Sequence, residues 1–407
     1  YTLQLYFSTS ETENYILKIP FQVVKGKKNI LTFDLKDGNL NVLSSHNYVT
    51  GLKTEYKKDE DSVLLSWDYN TYNINYNIYV FRNGIFKHIG KTDKRYFVVN
   101  GPFSVNKNMY YVVPEFYDEY PIPVSKDVMC LNIPEDMVMV EKSSFIFGYE
   151  GEETGYEEVK PSSKVTFTYD YLMGKYEITF NQFDNFCDET GTASPSDYYT
   201  IGTPFYLGRG EKPALNMTWK EALKYCNWLS EKEGIKPAYY TDVNGRFDGR
   251  TIDENGNVTK DLSKVTGYRL PTEQEWEYAA KGGKNKDSYK YSGSNILSEV
   301  ANYRKNPNDV VFTREVGSYK PNSLGLYDMS GNVCEYCTSV YLDYTAEDKI
   351  NPFDIESVNV YKPVIKGGGY YYDENTKKLE NVMRIKSGSA TQGNIATGFR
   401  IVRTVTE

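Results

Sequence analysis

The chain has 407 residues, 40% of them apolar and 25% charged, which is more than one hydrophobic core supports and implies at least two soluble domains. No run of the roughly 18 apolar residues that a membrane helix needs occurs in it, so no such span is expected. A net charge of −8 and a pI of about 5.2 lack the basic footprint that neutralises phosphates, so nucleic acid is not an expected partner.

The chain opens on Tyr1 with neither a charged start nor an apolar signal core, and it reads as a trimmed form whose signal or lipid anchor has been removed. Residues 1–55 read as a β-rich segment without an assignable module. Val63-Leu-Leu-Ser-Trp67 and then Tyr72, Ile74, Tyr76, Ile78 and Val80 alternate with polar residues, the period of half-buried antiparallel strands. Asn83-Gly84 supplies a turn of the kind that needs positive φ. Tyr96-Phe-Val-Val99 and Tyr110-Tyr-Val-Val113 follow at sandwich spacing. With Ser66-Trp67 early and Tyr110 to Val113 late, residues 56–128 resemble a fibronectin type III module, an all-β sandwich of Ig-like type. Pro121, Pro123 and Pro134 then interrupt regular pairing, and residues 129–136 read as a linker.

Beyond the linker the local grammar changes from strands to helices. Thr179-Phe-Asn-Gln182, Thr218-Trp-Lys-Glu221 and Thr272-Glu-Gln-Glu275 are three capping boxes, in which Thr and Glu or Gln satisfy free backbone N–H groups reciprocally. Phe183, Phe186 and Cys187 line one face of the first helix, Ala222, Cys226 and Leu229 of the second, Trp276, Ala279 and Ala280 of the third. Gly191, Gly234 and Gly282 stand where C-terminal caps belong. After Gly282 the chain is rich in Gly, Asn and Tyr with only short strand-like runs, which makes residues 137–407 an irregular α+β domain.

Met137-Val-Met-Val140, Phe145-Ile-Phe-Gly148, Tyr176-Glu-Ile-Thr179, Gly267-Tyr-Arg-Leu-Pro-Thr-Glu-Gln-Glu-Trp-Glu-Tyr-Ala-Ala280, Gly325-Leu-Tyr-Asp-Met-Ser-Gly-Asn-Val333, Lys366-Gly-Gly-Gly369 and Gly398-Phe-Arg-Ile-Val-Arg403 are colinear motifs. Together they resemble the formylglycine-generating-enzyme, or sulfatase-modifying factor, family. The resemblance implies a C-type-lectin-like fold in which the first and last strands pair, so that the Met137 and Phe399 segments are neighbours. It also implies that the charged residues of Gly267 to Ala280 are scaffold, a salt-bridged helix entry.

Enzymes of that family hold copper with two cysteines shortly before the final Gly-Phe-Arg segment. The corresponding stretch, Leu379 to Ser389, has none, and a soft Cu(I) site needs thiolates. Related iron enzymes of the ergothioneine pathway need histidines, and the only two here, His46 and His88, lie in the N-terminal third. No copper, iron or zinc is therefore expected. The five cysteines, Cys130, Cys187, Cys226, Cys334 and Cys337, are no disulfide framework. On a strand, Cys334 and Cys337 would point to opposite faces, which favours two separate thiols over a redox pair. Calcium is the metal the resemblance does imply: Asp328, the Gly331 and Val333 carbonyls and Glu335 as one oxygen set, Asn302 and the Tyr303 carbonyl, with Asp309, as a second. The alternative is a tight turn capped by Asp328 without metal.

Tyrosine, with 39 residues, is the compositional outlier. An AT-rich genome, which raises Tyr, Asn and Lys together as seen here, is the first explanation, and a recognition surface is the second, since Tyr offers stiff contact area at low entropy cost. Tyr370-Tyr-Tyr372 follows a glycine strand end, and three consecutive rings on extended backbone cannot all face one core. This arrangement is similar to the variable proteins of treponemal diversity-generating retroelements. By that resemblance Tyr336, Tyr341, Tyr344, Tyr371, Tyr372, Asn375, Arg384, Lys386 and Ser389 are variable, ligand-facing positions. The leading expectation is a secreted or bacterial cell-surface binding protein, a β stalk with a lectin-fold head that meets a protein or glycan ligand. The alternatives are an oxidoreductase of the family with a non-standard site, or a structural subunit of a surface assembly; oligomeric state stays open.

Overall fold

The computed structural model describes the backbone of residues 1–407 except 1, 11–12, 21–31, 37–38, 44–49, 58–59, 69–74, 83–84, 102–105, 115–123, 131–132, 196–207, 243–246, 307, 354–361, 389 and 406–407. The Asn83-Gly84 turn, Tyr72, Ile74, Pro121, Pro123 and Ser389 thus lie outside the described residues. The chain divides into two compact units, Tyr1–Asn132 and Ile133–Thr406, and the division falls inside the expected linker.

The first unit is built of strands β1 (Thr2–Ser10), β2 (Glu13–Pro20), β3 (Thr32–Lys36), β4 (Asn39–Leu43), β5 (Thr50–Lys57), β6 (Ser62–Asp68), β7 (Tyr76–Arg82), β8 (Ile85–Thr92), β9 (Tyr96–Asn100), β10 (Asn106–Pro114) and β11 (Val124–Cys130). β1 with β2 and β3 with β4 are antiparallel hairpins, the β structure expected in 1–55. β5-β6-β9 form one sheet and β11-β10-β7-β8 another. Leu52, Val63, Leu65, Trp67, Tyr76, Ile78, Val80, Tyr110 and Val112 alternate inward from β5, β6, β7 and β10 into a single core. β5 contributes Leu52 to it.

The second unit runs β12 (Met137–Val140), β13 (Ser144–Phe147), β14 (Ser163–Thr166), β15 (Tyr171–Gly174), α1 (Phe180–Thr190), α2 (Trp219–Lys232), β16 (Tyr239–Thr241), β17 (Phe247–Ile252), β18 (Val258–Thr259), β19 (Tyr268–Arg269), α3 (Glu273–Ala280), α4 (Leu297–Val300), β20 (Cys334–Val340), β21 (Lys349–Ile350), β22 (Pro363–Lys366), β23 (Ile385–Lys386), β24 (Thr397–Gly398) and β25 (Val402–Thr404). All three capping boxes form: Thr179, Thr218 and Thr272 each accept the N–H three residues on, while Gln182, Glu221 and Glu275 reach back to the cap N–H. Each cap contributes about 1 kcal/mol. Gly191, Gly234 and Gly282 all take the left-handed conformation that ends a helix.

The sheet that closes the domain has the order β12-β15-β25-β19. This corrects one expectation. The Met137 and Phe399 segments share a sheet, but Tyr171–Gly174 lies between β12 and β25 and pairs with both. Two further sheets, β13-β14-β21 and β23-β22-β20-β24, carry the surfaces considered below.

Candidate functional site

Helix α3 organises the second unit through three buried carboxylates, Glu273, Glu275 and Glu277. Glu275, two residues from each of the others, leaves on a different side of the helix, whereas Glu273 and Glu277, four apart, share a side and are separated by the different cations they take. Glu275 takes Arg269 in a two-pronged pair at 2.6 and 2.7 Å, both side chains fully enclosed, and also accepts from Tyr169 at 2.8 Å. Glu277 accepts from buried Lys366 at 3.0 Å, from Lys281 at 2.7 Å and from the Gly148 N–H. Glu273 accepts the Tyr344 hydroxyl at 2.6 Å and pairs with Arg384 at 3.1 Å. Between them Trp276 donates to Glu335 at 2.7 Å, tying α3 to β20.

The residues implied for the first calcium set lie on one buried loop, where the two carboxylates already have protein partners. Glu335 is fully enclosed, and both of its oxygens accept from Arg400, at 2.6 and 2.7 Å, with Trp276 on one of them. It is the counter-ion of the final Gly-Phe-Arg arginine. Asp328 accepts the Gly317 N–H at 2.7 Å, and burial pushes its carboxyl up to about 6. Gly331 sits at φ +88°, and a Cβ there would lie 2.5 Å from the Asn302 carbonyl oxygen. The Val333 N–H donates to Glu177 at 3.0 Å. In the second set, the Asn302 amide donates to the Phe312 carbonyl and to Asn332, and its own carbonyl accepts from the Asn332 N–H. Tyr303 packs against Tyr291, Leu297, Val300, Ala301 and Leu379. Asp309 turns back onto Asn306. Among the described residues no group of three Asp, Glu, His or Cys side chains converges as metal ligands would. Sequence reasoning passed over Glu177, whose carboxyl is raised by burial and by Asp328 and Glu335 beside it. Its signal was present in the Tyr176-Glu-Ile-Thr179 motif.

Of the nine positions expected to face a ligand, two are buried, Tyr336 and Arg384, and Tyr344 is half-buried. Tyr336 is wholly buried, because β20 is covered on both of its faces. Arg384 is 1% exposed; its guanidinium lies 3.7 Å from the Tyr341 ring centre and 4.5 Å from that of Tyr344, and it donates to the Leu342 carbonyl. Tyr344 packs on Phe147 at 4.5 Å with its hydroxyl on Glu273, and burial raises its pKa. Tyr336 and Arg384 are corrected to supporting residues, while the half-buried Tyr344 holds its hydroxyl on Glu273. Lys386 and Asn375 are exposed, and Tyr341, Tyr371 and Tyr372 are half-buried. None of Tyr370, Tyr371 and Tyr372 is fully exposed: Tyr371 stacks on Tyr372 at 4.2 Å and Tyr370 donates to the Ile395 carbonyl.

Tyr341 and Lys386 thus stand over a rigid base, with Lys386 Nζ 5.3 Å from the Tyr341 ring and the Tyr341 hydroxyl on Glu158. Glu158 also takes Lys378. A neighbouring segment absent from the sequence reading adds Tyr149 stacked on Tyr156 at 3.8 Å, with Lys377 Nζ 3.9 Å over Tyr156 and the Tyr156 hydroxyl on Glu380. Its acidic, glycine-punctuated sequence carries no motif, and only the tyrosine content hinted at it. The described cysteines Cys187, Cys226, Cys334 and Cys337 are all buried thiols. Burial pushes the Cys334 thiol up to about 12 and raises those of Cys226 and Cys337 as well.

The sulfatase-modifying factor enzyme 1-like domain matches residues 127–405. The chain belongs to that family. Several relatives are similar along most of their own length. "Chaperone protein LppX" of Paenibacillus barcinonensis is 34% identical over 266 residues, 61% of this chain and 82% of that protein. The formylglycine-generating enzyme of Thermomonospora curvata is 25% identical over 291 residues, 66% of this chain and 93% of the enzyme. Among solved structures, Treponema denticola variable protein 1 matches with a TM-score of 0.51 and 25% identity over 66% of this chain and 94% of its own. Members of the family therefore include an enzyme, a protein named as a chaperone and a variable protein, and the sulfatase-modifying factor fold alone does not select among them.

Proposed function

We propose that this sulfatase-modifying-factor-type domain is a non-catalytic binding head that presents Tyr341, Tyr371, Tyr372, Asn375 and Lys386 to a protein or glycan ligand at a bacterial surface. The observation that carries the reading is the replacement at Leu379 to Lys386. Where the family's enzymes hold thiolates, this chain places Arg384 between Tyr341 and Tyr344, a packed aromatic and cationic platform without a nucleophile. Half-exposed tyrosines on a fixed base lose little entropy on contact, which is what recognition asks of them. The likeness to Treponema denticola variable protein 1 supports the same reading and suggests that these positions are diversified by a retroelement. The two-sheet pairing of β5 to β11 supports a fibronectin type III-like module in the first unit, acting as a stalk.

The test is binding of the full chain to a glycan array and to purified surface proteins, with Tyr341→Ala/Lys386→Glu and Tyr371→Ala/Tyr372→Ala as paired variants. A specific ligand lost at least about tenfold in either variant, about 1.4 kcal/mol, is expected. A ligand held equally by both variants refutes the face. Conversion of a cysteine-containing peptide by the copper-loaded protein refutes the non-catalytic reading. A stable homo-oligomer that buries Tyr341 and Lys386 supports the structural-subunit alternative instead.

A further inference from the structure

A second surface of the same unit, away from the residues of the proposed face, carries a groove of about 520 Å³. Its floor is aromatic. Phe145 and Tyr278 lie 5.0 Å apart, with Tyr278 almost completely buried, and Ile146 beside them is left 40% exposed. Its rim is cationic: Lys164, Lys281 and Lys286 line it against one anion, Asp287. Lys281 is already paired with Glu277, and the Lys164 backbone N–H donates to the Asp348 carboxylate at 3.3 Å, so the cationic character of the rim rests on the side chains of Lys164 and Lys286.

The three lysines are not equivalent. Lys281 is engaged with Glu277 at 2.7 Å and with the Ile146 carbonyl at 3.0 Å, and its ammonium lies 5.6 Å from the Phe145 ring centre. Lys164 and Lys286 are exposed, and neither is in an ion pair with a described residue. Lys286 is held at φ +56°, a left-handed conformation that costs a side-chain-bearing residue about 1–2 kcal/mol, so the loop displays this lysine against its own preference. Apolar surface flanked by uncompensated cations is complementary to an acidic segment that carries an apolar anchor.

The mode of contact also follows. β13 is an edge strand of its three-stranded sheet, and an open edge invites strand addition. Here Lys281 already donates to the Ile146 carbonyl and reaches the Gly148 carbonyl at 3.5 Å, so the edge is blunted. A ligand would meet side chains rather than extend the sheet. We infer that this groove binds an acidic peptide segment of a partner protein, with an aromatic or aliphatic side chain on Phe145 and Ile146 and carboxylates on Lys164 and Lys286.

The experiment uses the full chain and a fluorescein-labelled hexapeptide Glu-Asp-Phe-Leu-Asp-Glu, followed by fluorescence anisotropy at low and high salt. Saturable binding that weakens with salt is expected, reduced at least about tenfold in Lys164→Glu/Lys286→Glu and in Ile146→Asp. Both exposed-site variants should melt as the parent does, and Tyr341→Ala/Lys386→Glu should bind the peptide normally, which separates this groove from the proposed ligand face. A peptide with the phenylalanine and leucine replaced by serine should lose most of the affinity. Equal binding by that peptide means plain charge adsorption and overturns the inference. So does absence of binding at millimolar peptide, or binding abolished only by the Tyr341/Lys386 variant.

Discussion

Replacing Arg269 by methionine removes one partner of a pair with no exposure on either side, and the structure sets the scale of the loss. Arg269 gives Glu275 two hydrogen bonds at 2.6 and 2.7 Å and gives Thr404 a third at 3.1 Å. Methionine keeps most of the volume but leaves the Glu275 carboxylate in the core with only Tyr169 and the Thr272 N–H. Stranding a buried charge in this way costs about 3–5 kcal/mol. For a unit of this size that is a fall in Tm of about 10 °C or more. The double variant Arg269→Met/Glu275→Leu strands no charge. It loses mainly the capping interaction at Thr272, worth about 1 kcal/mol, so it should be more stable than the single variant by at least 2 kcal/mol. Guanidinium unfolding followed by tryptophan fluorescence reads this unit, since three of the chain's four tryptophans, Trp219, Trp228 and Trp276, lie in it. A single variant within about 1 kcal/mol of the parent, or a double variant as unstable as the sum of the two singles, would refute the reasoning.

Four further outcomes are expected. In a Cys130→Ser background, a thiol reagent at pH 8 should label none of Cys187, Cys226, Cys334 and Cys337 until the protein unfolds; rapid native labelling of Cys334 and Cys337 would revive the oxidoreductase alternative. Asp328 has a folded pKa raised from 3.8 to about 6, so its contribution to stability is fully present below about pH 4 and is lost as pH rises through 6. Asp328→Asn should therefore flatten that part of the pH–stability curve and gain up to about 3 kcal/mol at pH 7.5, and an unchanged slope in calorimetry would contradict it. Gly331→Ala, which needs φ +88° and meets the Asn302 carbonyl, should destabilise by more than about 1 kcal/mol in the same melts. Tyr336→Ala should cost about 3–5 kcal/mol while Lys386→Ala stays within about 0.5, and the reverse order would place Tyr336 back at the surface.

The helices were legible because their signals are local. Thr179, Thr218 and Thr272 each announce a cap whose partner is three residues away, and all three boxes form. Period-two alternation likewise placed Val63, Leu65 and Trp67 inward on β6. The strand order was less legible, because nothing within Met137–Val140 specifies that Tyr171–Gly174 should stand between it and β25. Side-chain direction on the candidate face was the least legible. β20 is covered on both sides, so the alternation that should have turned Tyr336 outward has no outer face to use. Arg384 reads as a surface cation in sequence, yet Glu273 and two aromatic rings, all distant along the chain, enclose it. The counter-ion of Glu335 was hidden for the same reason: Arg400 is 65 residues further on.

These errors share a direction that bears on how such a fold could tolerate a changeable surface. The three carboxylates of α3 and the Glu335–Arg400 pair are closed among themselves by buried partners on β19, β20, β22 and the final segment. Little of that network depends on the exposed groups of Tyr341, Tyr371, Tyr372, Asn375 or Lys386. Only Glu273 reaches the platform, through Arg384 and Tyr344, which hold the Tyr341 ring from beneath. Substitutions at the exposed Asn375 and Lys386 would then change what is recognised while costing the fold a few tenths of a kcal/mol each, whereas substitutions at Arg384 or Tyr344 would loosen the platform itself. A fold whose buried charges are closed among themselves can vary its exposed rim at low cost, and that separation suits the proposed binding head.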